Sequence, residues 1–169
     1  MTELETSIAD NRAAVNEFVA TARSLDGARW TTPRAPGAWT PAQIVEHVAI
    51  VYEYSRDVTL GKPQSRSLPG FLRPLLRRFV VDSALKAGKF TRKGKAPGML
   101  KPSAALASVS EAVERLEAAV TGFEAAIRSG HPEARHFVAH PFFGKVATTD
   151  YLRFQALHTR HHRAQMTST

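Results

Sequence analysis

Three histidines fall within five residues in the stretch LHTRHHRAQ, Leu157 to Gln165. On a helix, residues four apart stack on one face, so His158 and His162 form a pair. His161 is rotated by about 100° from His162 and cannot share its direction. Two imidazoles at i and i+4 can hold a divalent transition metal, with nitrogens at about 2.0–2.1 Å. A catalytic site of this kind takes a third protein ligand and keeps one position for water or substrate. His47 is the candidate third ligand. It falls among Ile44, Val48 and Val51 on an apolar helix face, where a bare imidazole needs a partner. The same pattern fits histidines that are simply satisfied in a core or solvated on a surface, and spacing alone leaves both readings open.

Other chemistries find little support. The spacer in HTRHH holds Thr159, Arg160 and His161, so the glutamate base of a helical zinc protease motif is missing. A di-iron bundle needs paired Glu-x-x-His motifs, and only Glu133 to His136 matches. No strand-to-helix nucleophile elbow for a Ser-His-Asp hydrolase is present. With no cysteine in the chain, disulfides, thiolate ligands and a cysteine nucleophile are excluded.

The elements that must position the histidines are helices. Leu4, Ile8, Asn11, Val15, Phe18, Ala22 and Leu25 recur at helical spacing, and Asp26-Gly27 is expected to end that helix. Three prolines and a glycine are expected to exclude regular structure up to Trp39. Thr40-Pro41-Ala42-Gln43 then reads as a capped helix start with a capping box, and the helix should run to about Leu60. Ile44, His47, Val48, Val51 and Tyr54 share one side of it. Ser103 is expected to cap a third long helix, whose seam is Leu106, Val109, Val113, Leu116, Val120, Phe123 and Ile127. Ser129-Gly130 stops it, and a loop with His131, His136 and His140 follows. Thr149 or Asp150 opens the last helix, which carries the stripe Tyr151, Gln155, His158, His162 and Gln165. No strand signal of any strength is visible. The expectation is one all-α domain over residues 1–169, a bundle of four long helices with two long connections.

The charge of +8 is concentrated. From Lys62 to Lys101 eleven Lys and Arg face one acid, Asp82, for a net +10, while the other twelve basic and fourteen acidic residues give −2. This basic insert, 62–101, separates helices two and three. Residues 71–90 read as a helical hairpin or an irregular helix, interrupted near Pro74, and TRKGKAPGMLKP reads as loop. Arg73, Arg77 and Arg78 lie beside Phe71, Leu72, Leu75, Leu76, Phe79 and Val80, a pattern that suits a membrane surface. A lid or dimer-contact helix packed on the bundle fits equally. Nucleic acid is disfavoured, because no binding motif is present and aromatics are not interleaved with the basic residues. The polar, acidic MTELETSIADNRAAV is not a signal peptide and no apolar run approaches a membrane span, so a cytoplasmic protein is expected.

Two stretches resemble one family. WTTPRAPGAWTPAQIVEHV, with Trp30, Pro36, Gly37, Trp39, Thr40 and His47, is similar to the second-helix start of the DinB/YfiT-like superfamily. HPFFGKVATTDYLRFQALHTRHHRAQ is similar to its last helix, where His158 and His162 match the His, three residues, His pattern and Gln165 follows. His140 to Gly144, HPFFG, looks like one branch of that superfamily. The resemblance implies a DinB-like four-helix bundle, often a homodimer, with a divalent metal such as zinc or nickel on His47, His158 and His162. It also implies thiol transfer or thiol-dependent isomerisation of a small-molecule substrate, with a low-molecular-weight thiol such as bacillithiol or mycothiol. A metal or ligand binder without turnover, and a binder of anionic surfaces through the insert, are the alternatives. His140 and Tyr151 are further candidates for the mouth of a pocket, and Arg160 and Arg163 for contact with an anionic substrate.

Overall fold

Thr2 accepts the backbone N–H of Glu5 and opens the first long helix, α1 (Glu3–Arg23). The computed structural model describes residues 2–90, 96–103, 107–129 and 132–167. Ser24 closes α1, and Asp26 does not end a helix but starts one: its carboxylate accepts from Arg29 N and caps α2 (Gly27–Thr31). A short helix therefore stands where prolines suggested irregular chain, because Pro33 and Pro36 come only after it. The capping box of Thr40 and Gln43 is present in both directions at the start of α3 (Pro41–Thr59).

The insert is an irregular helix. Pro74 does not break it, since it sits in the first turn of α4 (Arg73–Arg77), where its missing N–H costs nothing. The interruption comes later, as a wide π turn over Arg78–Asp82 before α5 (Ser83–Ala87). The next long helix, α6, runs from Val109 to Ser129. Ser108 caps it with Glu111 in a second capping box, whereas Ser103 bonds Glu46 instead. Leu106, Gly130 and His131 lie outside the described residues. An antiparallel hairpin follows, β1 (Phe137–His140) and β2 (Gly144–Ala147), pairing Val138 with Val146 and His140 with Gly144. It overturns the expectation of a plain loop. Each strand is only four residues long, and its period-two signal rests on Val138 and Val146 turning inward. Gly144 takes φ +71°, which a turn residue without a Cβ tolerates. α7 (Thr148–Thr167) ends the described chain.

Side-chain pairs fix the helix directions. Asp10 pairs with Arg160 and Glu17 with Arg163, so α1 and α7 run parallel. Glu5 pairs with Arg128 and Arg12 with Glu124, so α6 opposes α1. Ser55 meets Tyr151 while His47 meets His158, so α7 opposes α3. The four long helices thus go up, down, down, up, which the long connections allow. Phe18, Val45, Val48, Leu116, Val120, Phe123, Ile127 and Leu152 fill the centre. Each such burial contributes about 1.5–3 kcal/mol before entropy is counted. No described helix is long and apolar enough to cross a membrane.

Candidate metal centre

The stripe Tyr151, Gln155, His158, His162 and Gln165 lines one cavity of ≈ 1210 Å³. α3 supplies His47 and Tyr54 to it, and the chain before α3 supplies Trp39. The insert closes one wall with Leu76, Val80, Phe90 and Leu100, and the hairpin closes another with His140, Phe142 and Phe143. No carboxylate lines it among the described residues.

His47, His158 and His162 converge there. One ligand nitrogen from each lies within 4.8 Å of the others. Ring centroids are 4.8 Å apart for His47 and His162, 5.3 Å for His47 and His158, and 4.5 Å for His158 and His162. Helix geometry explains the last spacing, and the capping box that sets the phase of α3 brings in the third ring.

Hydrogen bonds fix the tautomers. His47 Nδ1 lies 2.6 Å from Leu100 O, a pure acceptor, so Nδ1 carries the proton and Nε2 is bare. Gln165 Nε2 donates to His161 Nε2 at 3.0 Å, which turns its Oε1 onto His162 Nδ1 at 2.8 Å. His162 Nε2 is therefore bare too. It lies 3.1 Å from His158 Nε2, while His158 Nδ1 is buried with no partner. In either tautomer a nitrogen of His158 is left unsatisfied: a buried lone pair or N–H at Nδ1, with two lone pairs opposed in the second case. A cation held by the three imidazoles would remove that opposition. The residues therefore fit a divalent ion that prefers imidazole nitrogen, held from behind by Leu100 O and Gln165.

The electrostatics agree. Burial holds His47 below the ordinary imidazole pKa. Burial first, then the neighbouring histidines, pushes His158 well below it. Burial and His47 push His162 down to about 3. All three are neutral near pH 7, the state a ligand needs. Trp39 packs on His47 with centroids 4.8 Å apart and Phe90 on His158 at 5.8 Å, so apolar rings screen the cluster from water.

The other candidates sort differently. His140 is buried against Phe143 and accepts from Phe142 N through Nδ1, so it fixes the hairpin turn while lining the cavity. Tyr151 is buried and bonded to Ser55. Arg160 and Arg163 do not line this cavity; they pair with Asp10 and Glu17 across to α1. Trp30 packs in the core and donates to Ala107 O. His136 is exposed. Sequence reasoning missed Phe90 and the Leu100 carbonyl, which no residue-type pattern marks. It grouped Gln165 with the histidines on spacing alone.

Fold and site define a class: a four-helix bundle whose second and fourth long helices present three converging histidines that could hold a metal ion. The chain belongs to the DinB superfamily, whose family model matches residues 11–166. Among solved structures it is similar to TT2238, a four-helix bundle protein, with a TM-score of 0.60 over 98% of this chain and 99% of that chain. Identity is 22%, so this likeness shows the fold alone. No curated protein matches the chain.

Proposed function

We propose that His47, His158 and His162 hold one divalent transition metal, zinc or nickel, and that the chain uses it for thiol transfer to a small molecule. The observation that supports this is the convergence of three neutral imidazoles, two with Nδ1 already tied to fixed acceptors, on a largely apolar cavity. Three protein ligands is the count of catalytic rather than structural zinc sites. A bound divalent ion lowers the pKa of a thiol, so that thiolate is available near pH 7. In the transfer the thiol gives its proton to solvent, sulfur bonds the electrophilic carbon, and the leaving group departs with the electron pair of the broken bond and takes up a proton from solvent. The chain contributes orientation and dryness. Leu100 O and Gln165 aim His47 and His162, and Trp39 and Phe90 exclude water from the rings. The thiol must come from outside, since the chain has no cysteine.

A second reading, metal or ligand binding without turnover, has one observation in its favour. Among the described residues no carboxylate lines the cavity, and burial raises the nearby Tyr54 and Tyr151 to about 12, so none of these side chains is a strong general base near pH 7. The test is a thiol-consumption assay with zinc- or nickel-loaded protein, low-molecular-weight thiols and a panel of electrophiles. Turnover that disappears in His158→Ala supports thiol transfer. Bound metal with no consumption across the panel supports the second reading.

A further inference from the structure

The insert is apolar on two sides. Leu76, Phe79, Val80 and Ala84 line the cavity, and Val81 is fully buried. A second side turns outward. Phe71 is 80% exposed and Leu75 53%, four residues apart, with Leu72 beside them. The inward side already closes the cavity, so closing it does not require this outward stripe. Contiguous exposed apolar side chains of this kind mark interaction surfaces.

The same segment is cationic. Arg66, Arg78, Lys86 and Lys89 are exposed and have no ion pair among the described residues. Arg77 pairs with the single acid of the segment, Asp82, and donates to Lys145 O on β2 at 2.8 Å. That bond ties the segment to the hairpin, where Lys145 Nζ lies 3.9 Å from the ring centre of half-exposed Phe137. A second copy of the chain packed patch to patch would set these cations against each other. An anionic lipid surface matches both properties, because it takes aromatic and leucine side chains into the acyl boundary and cations at the headgroups.

We propose that residues 66–89 dock this protein on anionic phospholipid surfaces. Phe71, Leu72 and Leu75 enter the interface, and Arg66, Arg78, Lys86 and Lys89 meet the headgroup phosphates. The docked element is also a wall of the histidine cavity, so it would stand between the lipid and the metal centre. The inference does not rest on the metal reading, and either can fail alone.

The test is co-sedimentation of the full chain with vesicles of phosphatidylcholine and phosphatidylglycerol in equal parts, against phosphatidylcholine alone. Binding is expected only to the mixed vesicles and should fall as salt rises. The double variant Phe71→Ser, Leu75→Ser should bind at least about tenfold more weakly. Arg78→Glu should bind about fivefold more weakly or worse. Both change exposed residues, and circular dichroism should show unaltered helix content. Absent binding to the mixed vesicles overturns the proposal. So does equal binding by the double variant. A self-association in sedimentation velocity that the double variant abolishes, without vesicle binding, would assign the stripe to a second copy.

Discussion

Along the seam between α3 and α7, one polar tier is Ser55, Tyr151 and Gln155, and another, about two turns away, is His47, His158 and His162. Both put buried polar groups from the same two helices against each other. In the first tier donors meet acceptors at Ser55, though Gln155 Oε1 is buried without a partner among the described residues. Ser55 gives its hydrogen to Val51 O and accepts from Tyr151 at 2.8 Å and Gln155 at 2.9 Å. In the second tier like atoms meet, with Nε2 against Nε2 at 3.1 Å and a buried Nδ1 without a partner. Polar groups that complete one another stabilise a bundle. Polar groups that converge with the same unmet need make a place for something else.

Variants can separate the tiers, and the largest effect falls on the histidines. His158→Ala or His162→Ala should take bound zinc or nickel from roughly one ion per chain to almost none, read by elemental analysis. Next come residues behind the ligands. Gln165→Ala should weaken metal affinity about ten- to hundredfold in a competition titration, with little change in unfolding midpoint. The complementary groups should show the reverse. Tyr52 donates to Asn11 and pairs with Thr159, all fully buried. Tyr52→Phe should cost about 1–3 kcal/mol in denaturant unfolding and leave metal content intact. Loss of metal in Tyr52→Phe, or of stability alone in Gln165→Ala, would dissolve the distinction.

A pH experiment adds a smaller contrast. Burial depresses folded His140 to about 3, against 6.5 when unfolded. Below pH 6.5 the unfolded chain binds a proton that the folded chain refuses, so the stability is present above 6.5 and lost as pH falls toward 3. Wild type should therefore lose about 2 kcal/mol more than His140→Phe on going from neutral to about pH 5. The smallest effect is expected for Arg160→Ala, whose partly exposed pair with Asp10 should contribute under about 1 kcal/mol and nothing to thiol chemistry.

Much of this was legible in residue order. Apolar spacing and the Thr40 capping box are local signals, and they located the helices that carry the cluster. Spacing of four paired His158 with His162, and an imidazole on an apolar face singled out His47. The misreadings share a cause. Asp26 and Ser103 each looked like punctuation, but whether a polar side chain ends or starts a helix depends on which N–H it reaches, and Ser103 reached Glu46 instead. The hairpin escaped because its strands are four residues long and held in place by the insert: Leu68 N donates to Pro141 O and Arg77 to Lys145 O. Phe90 and Leu100 were invisible for the same reason, being brought to the histidines by tertiary packing from a segment with no period of its own.

Three histidines from α3 and α7 converge as candidate ligands for one metal ion. The direct measurement is elemental analysis of untagged protein purified without chelator, beside His47→Ala and His158→Ala. About one zinc or nickel per chain is expected in wild type, with its loss in both variants. Wild type that carries no metal, takes up neither zinc nor nickel when offered and is no less stable for it would show that the histidines hold no metal.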